Sequence, residues 1–327
     1  MSASDQFGPI SGRGLQWLIW MSLLSGSAYL CVSLWGGWRD VVRAFGLVGS
    51  TGATIALLLS LVNYGLRFVR WQYYLRLLGY NISFAESLCI YIAGFALTIA
   101  PGKAGEAIRS VFLKRRGMGY RPSLAAFFAE RFSDLIAVLV LASIGVWQYP
   151  EAQPVVLTIS VFLLITLLLF HQRRLIDRMH EAARVKLPQR LSPAIDAFSD
   201  ILRHSGQCLR PTAVLLGIVL GVVSWGSEGV AFHFILQWMD IDLDWRIALF
   251  IYTFSMLVGA ISFLPGGLGG AEITMIGFLL LNDVSQPNAV AATVITRLAT
   301  LWFAVVLGMI ALAFLRRHYH FKPIPGR

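Results

Sequence analysis

The chain has 327 residues, of which 57% are hydrophobic before its 30 glycines are counted and only 13% are charged. Soluble domains average about 45–50% apolar with glycine included and about 25% charged, so a water-soluble globule is excluded and the useful count is of bilayer spans. A formal charge of +10, from 27 Lys and Arg against 17 Asp and Glu, reports orientation in a membrane and an anionic partner before it reports nucleic acid.

In chain order, six uninterrupted apolar runs are long enough to cross: Leu15 to Trp35, Thr51 to Tyr74, Ser123 to Trp147, Pro154 to Phe170, Thr212 to Trp238 and Ala289 to Leu315. The first lacks a strongly basic start and matches a bilayer in length, so it reads as a retained anchor rather than a cleaved signal. Two further stretches are broken by proline and glycine: Glu86 to Arg116 around Pro101-Gly102, and Trp245 to Leu281 around Pro265 to Gly270. Halves of about 15 residues are short for a crossing at 1.5 Å rise per residue, and suit hairpins that enter, turn and leave on one side. The expected fold is an all-α polytopic membrane protein with about six full transmembrane helices and two re-entrant helical hairpins.

Basic residues set the orientation. With the N-terminus inside, cytoplasmic segments hold Arg67, Arg70 and Arg76; Lys114, Arg115, Arg116 and Arg121; eight Lys or Arg from Arg173 to Arg210; and Arg316, Arg317, Lys322 and Arg327. The other side receives Arg39, Arg43 and Arg246 among acidic residues, and Trp35, Trp38, Trp147, Tyr149, Trp238 and Trp245 form an aromatic belt there. Both termini are expected in the cytoplasm and the protein in the cytoplasmic membrane.

Under this topology the two hairpins open from opposite sides, and their surroundings match: span, PGKAGEAIR hairpin, span with ERFSDL, against span, PGGLGGAEI hairpin, span with TRLATL. Two similar units of opposite orientation form an inverted repeat, a plan that places a site between the halves at mid-membrane. The chain then divides into an anchor (15–35), a first repeat (51–147), a connecting span (154–170), a basic cytoplasmic segment (171–210), a second repeat (211–315) and a cytoplasmic tail (316–327), all within one integral membrane domain. In the basic segment Ser192-Pro193 is a helix start, with Ile195, Phe198 and Leu202 on one face, so a basic amphipathic helix on the inner membrane surface is expected. A solvated connector that helps fix the topology is the alternative.

A charge inside the bilayer costs about 2.5–3.5 kcal/mol on insertion scales, so intramembrane ionisable residues are the functional candidates. One group is Lys103, Glu106 and Arg109 after the first turn, with Glu130, Arg131 and Asp134 in the following span. Glu106 and Arg109 share a helix face, as do Glu130 and Asp134. A half-helix starting after Pro101-Gly102 aims free N–H groups and its positive dipole end into the membrane, where an anionic headgroup can be held. Lys103 and Arg109 add charge, and Arg131 offers a bidentate contact to a phosphate or to a carboxylate such as Glu106. The candidate substrate-binding set is thus Gly102, Lys103, Gly105, Arg109 and Arg131, faced by Gly266, Gly267 and Gly269 of the second turn. The carboxylates also have a structural reading, in which they neutralise Arg109 and Arg131 and tie hairpin to span.

The second group is Glu228, Glu272 and Arg297. If Arg297 faces Glu272 the pair is a gate or a lock; if it does not, Glu272 is a candidate proton carrier. Glu228 reads as a hydrogen-bonding residue between helices. Glu106, Glu130, Asp134, Glu272 and Arg297 make up the coupling and gating set. Phosphate-loop, serine-elbow and H-E-x-x-H patterns are absent, and Asp240 and Asp242 read as a polar loop. The dispersed cysteines and histidines indicate no metal, and no cofactor is expected.

The motifs PGKAGEAIRSVFLKRRG, AERFSDLIAVLVL and LPGGLGGAEITMIG, in this order, resemble the flippase-like membrane domain of lysyl-phosphatidylglycerol synthases, over about Leu57 to Leu315. The resemblance implies movement of lipids between leaflets, here as a stand-alone member without the soluble synthase domain. The expected activity is a lipid translocase acting on a lipid with an anionic or phosphate-bearing headgroup, and a separate lipid-synthesis enzyme is a possible partner. An intramembrane transferase using Glu106, Glu130 or Asp134 as base, and a non-catalytic subunit that recruits a synthase through the basic segment, are the alternatives.

Overall fold

The computed structural model describes residues 38–99, 104–186, 188–262 and 264–318, and these are helical throughout apart from turns and short connections. The expected anchor at 15–35 and the end of the tail lie outside the described residues, as do Gly102 and Lys103.

The first helix, α1, runs from Trp38 to Leu77 and is broken at Gly49, whose φ of 63° and ψ of −175° belong to a region open essentially to glycine alone. The break explains why the apolar run read from sequence begins only at Thr51. Helix α2 (Phe84–Ala93) passes into a 3₁₀ turn at Gly94–Leu97, and α3 (Ala104–Lys114) folds back against it. Helix α4 (Tyr120–Ala142) occupies most of the stretch expected as the Ser123 to Trp147 span, but it carries Arg121, Glu130, Arg131 and Asp134, ends before Trp147, which sits in a separate short turn, and is not among the segments long and apolar enough to cross a bilayer. The connecting span is α5 (Gln153–His171), and Leu157, Phe162, Leu164 and Leu168 on it stay exposed, as expected of a surface in contact with acyl chains.

The basic segment forms two helices where the sequence suggested one. These are α6 (Arg173–Lys186) and α7 (Ser192–Cys208), the latter starting at Ser192-Pro193 as read from sequence. They pack together and α7 docks on α4. Arg184 holds Asp196 through both carboxylate oxygens (3.0 and 2.7 Å), Arg203 meets Asp177 at 2.9 Å, and Arg121 of α4 reaches Asp200 at 2.5 Å. The buried residues of α7 are Ser199, Ser205 and Cys208, whereas Phe198 of the expected apolar face remains exposed.

Helix α8 (Pro211–Trp238) is followed by α9 (Trp245–Ile261), a turn at Pro265–Gly267, α10 (Gly270–Leu281), α11 (Gln286–Arg297), a π-helical turn at Leu298–Trp302 and α12 (Phe303–His318). Four helical segments are long and apolar enough to cross a bilayer: 38–77, 153–170, 211–238 and 286–315. In both broken stretches the two helices pack on each other, α2 on α3 and α9 on α10.

Helices α1 and α8 form the central pair. Close approach of α8 to its neighbours depends on Gly217 and Gly221, a small-xxx-small pair: a Cβ on Gly217 would lie 2.6 Å from the Tyr74 hydroxyl, and one on Gly221 2.7 Å from Ala137 Cβ. Around this pair, α8 packs on α4 and α1 on α11; α9 packs on α4 and α2 on α12; α10 packs on α11 and α3 on α4. Tyr64, Phe68, Trp71, Tyr91 and Phe95 form an aromatic cluster that seats the first hairpin against α1.

Candidate functional site

On α1, Arg67 and Arg70 are three residues apart and so lie on one helical face, directed at α4. Asp134 of α4 receives Arg70 Nη2 at 2.5 Å, Arg131 Nη2 at 3.0 Å and Arg67 Nη2 at 3.3 Å, and Trp225 Nε1 of α8 donates to it at 3.1 Å. Three guanidiniums therefore share one carboxylate at the junction of α1, α4 and α8. Arg70 has no exposed surface and also reaches the Gly217 carbonyl at 3.4 Å. Arg67 stacks over the Trp225 ring, and Arg131, with 32% of its side chain exposed, is the most accessible of the three.

Beside this cluster, Arg109 of α3 pairs with Glu130 of α4 at 3.0 Å. Its guanidinium carbon lies 4.2 Å from the Tyr91 ring centroid, and its stem rests on Gly94, where a Cβ would collide with it. Nε of Arg67, Arg70, Arg109 and Arg131 and Oε1 of Glu130 are all buried without a hydrogen-bond partner. Among the described residues, four guanidiniums thus meet the two carboxylates of Asp134 and Glu130, with donor capacity left over on each guanidinium.

In the second hairpin, Gly266, Gly267 and Gly269 have φ of 63°, 67° and 87°, values that side chains adopt only with strain. Glu272, in the first turn of α10, accepts the Gly269 amide on Oε2 at 2.6 Å and Arg297 Nε of α11 on Oε1 at 2.6 Å. Arg297 also donates to the Gly266 carbonyl at 2.9 Å, so one guanidinium holds both the hairpin turn and its acid. The π turn directly follows Arg297, and within it the Thr300 carbonyl accepts a hydrogen bond from Tyr64 of α1.

The structure unites Arg109 with Glu130, Arg131 with Asp134, and Glu272 with Arg297. Gly105 and Glu106 fall in the first turn of α3, where side chains are outside the description, so the expected Glu106–Arg109 face is untouched by it. Of the charges counted from sequence with the cytoplasmic segments, Arg70 is fully buried in the cluster and Arg67 keeps only 11% of its side chain exposed. Their i, i+3 spacing within an apolar run was the available signal. Glu228 accepts a hydrogen bond from Tyr252 of α9, linking two helices as read from sequence. No group of three or more metal-binding side chains occurs among the described residues.

Residues 18–308 match the family model described as the lysylphosphatidylglycerol synthase TM region. Similar proteins include UPF0104 membrane proteins of Pyrococcus horikoshii (22% identical, over 88% of this chain and 95% of that protein), Methanothermobacter thermautotrophicus (24%, 86% and 88%) and Archaeoglobus fulgidus (26%, 73% and 77%). With its apolar helices, this makes the chain an integral membrane protein.

Proposed function

The chain belongs to the lysylphosphatidylglycerol synthase TM region family, and from that premise we propose that it is a translocase that moves a phosphate-bearing lipid between the leaflets of the cytoplasmic membrane. The observation that carries this reading is the sharing of Asp134 by Arg67, Arg70 and Arg131. Charge excess among membrane helices is costly unless an anion completes it, and a phosphate with several acceptor oxygens suits guanidinium forks with donors to spare. Arg131 and Arg67 take the headgroup, Arg109 borders the site, and Arg70 supports Asp134 from beneath.

The halves act as an inverted repeat. Supporting this, the packing pairs correspond when α1 is exchanged with α8, the first hairpin with the second, and α4 with α11–α12: α1 on α11 answers α8 on α4, and α2 on α12 answers α9 on α4. Rocking of the halves about the α1–α8 contact exposes the site to each leaflet in turn, with the Glu272–Arg297 pair locking the second turn and acyl chains remaining in lipid. Both termini lie in the cytoplasm.

The test is leaflet exchange of headgroup-labelled lipids in liposomes containing purified protein, with phosphatidylglycerol, phosphatidylcholine and a polyprenyl phosphate as probes. Wild type accelerates exchange of the anionic probes, and Arg131→Ala and Arg67→Ala lower that rate at least tenfold while remaining folded. Folded wild type that moves no probe, with or without a pH gradient, refutes the translocase.

A further inference from the structure

Four carboxylates are buried among the described residues, and three of them hold an arginine: Glu130, Asp134 and Glu272. The fourth, Glu228 of α8, is 4% exposed and forms no ion pair among the described residues. Its partner is the Tyr252 hydroxyl of α9, which donates to Oε2 at 2.5 Å. A carboxylate clamped to a guanidinium keeps its charge. One that faces a tyrosine hydroxyl is satisfied in either state, because that hydroxyl donates to a carboxylate and accepts from a carboxylic acid.

The position of Glu228 connects it to both halves. About one turn before it, Trp225 binds Asp134 and Ser224 accepts Asn63 of α1 on its carbonyl, and the adjacent Ser227 donates to the Leu59 carbonyl of α1. The charged and titratable groups that act on Glu228 are Tyr64 and Arg67 of α1, Asp134 of α4, Tyr252 of α9 and Arg297 of α11. Arg67 and Arg297 belong to the two sites described above, one in each half. Arg67 thus feels the charges of Asp134, of Glu228 and of any anion that enters the cluster.

We propose that Glu228 is a proton-binding site of the transport cycle, taking up a proton as an anionic headgroup enters the arginine cluster and releasing it as the headgroup leaves. The inference rests on the anion-site reading and adds the coupling ion. A singly charged phosphodiester and one proton enter together, so the loaded site carries the same net charge as the empty one and its crossing of the membrane is electroneutral. By linkage, the anion favours protonation of Glu228 to the same extent that protonation favours the anion.

Infrared difference spectroscopy on the purified full chain in lipid nanodiscs tests this through the C=O stretch of a protonated carboxyl group. The probes are short-chain phosphatidylglycerol and inorganic phosphate, with probe binding followed separately by calorimetry. In wild type the band titrates with pH and grows at fixed pH when phosphatidylglycerol is added; Glu228→Gln lacks it, and Tyr252→Phe retains it at a shifted frequency. Growth with phosphatidylglycerol alone assigns the coupled ligand as a lipid, and growth with both probes assigns a phosphate oxyanion in general; either supports the coupling. A band unchanged by Glu228→Gln and unmoved by Tyr252→Phe, or probe binding without band growth, overturns it. Titration of the Glu228 band with pH while neither probe binds upholds the proton site and refutes the anion site.

Discussion

Arg70 of α1 and Asp134 of α4 form a 2.5 Å ion pair in which the arginine has no exposed surface. The same carboxylate is shared with Arg131, a third of whose side chain is exposed. One acid therefore joins a structural cation to an accessible one, and substitutions on its two sides should separate.

Removing the acid of a buried cluster strands its cations, at a cost of about 3–5 kcal/mol. Asp134→Ala, which leaves the unexposed Arg70 without its carboxylate, should lower stability in detergent by an amount of that order, read by intrinsic tryptophan fluorescence, and Arg70→Ala, which leaves Asp134 paired with Arg131 and Arg67, by less. Arg131→Ala should cost least of the three, about 1 kcal/mol, since a partly exposed cation contributes less than a buried one and its removal leaves Asp134 paired with Arg70 and Arg67. Equal losses at Arg70 and Arg131 would contradict this division.

Gly267 has φ of 67°, and a Cβ there would lie 3.2 Å from the backbone of Gly259. Gly267→Ala should destabilise the second hairpin by about 1–2 kcal/mol, the cost of a left-handed residue with a side chain. Glu272→Gln should loosen the same turn by weakening the Arg297 bridge. Faster hydrogen exchange over 265–275 in both variants, with little change in α2 and α3, is the expected pattern.

Asp196 lies outside the spans, in the α6–α7 hairpin. The Arg184 hydrogen bonds, then the charges of Arg184, His180 and Arg121, hold its carboxyl below the ordinary carboxylate range. A depressed folded value means that the contribution is full above the unfolded value, about 3.9, and is lost as pH falls through the folded value. Hydrogen exchange in 173–208 should thus be unchanged from pH 8 to pH 5, apart from its intrinsic pH dependence, and rise below about pH 4. Asp196→Asn should show the raised exchange at every pH; a wild-type exchange that stays flat down to pH 3 would contradict the role of Asp196.

Chain order and local chemistry were legible in the residues themselves. Proline followed by clustered glycines at 265–270 announced a hairpin because together they break a helix locally, and Ser192-Pro193 opened a helix for an equally local reason. The Glu272–Arg297 pair was foreseen as one of two possibilities, its acid lying just past a turn and its cation in the matching span. The inward turn of Arg67 and Arg70 was not legible, because a basic residue near the end of an apolar run reads as an interfacial charge. The acid that draws them inward, Asp134, is 64 or more residues away in sequence.

By itself the sequence determined that this is a helical membrane protein, where its helices break, and which family its motifs resemble, since composition, periodicity and backbone-breaking residues act within one or two turns of the chain. Tertiary structure alone decided which cation meets which acid: that three arginines converge on Asp134, and that Glu228 is left with a tyrosine instead of an arginine. Those assignments depend on how closely α1, α4, α8 and α9 approach and at what rotation. That is set by small residues such as Gly217 and Gly221 acting across helices far apart in sequence.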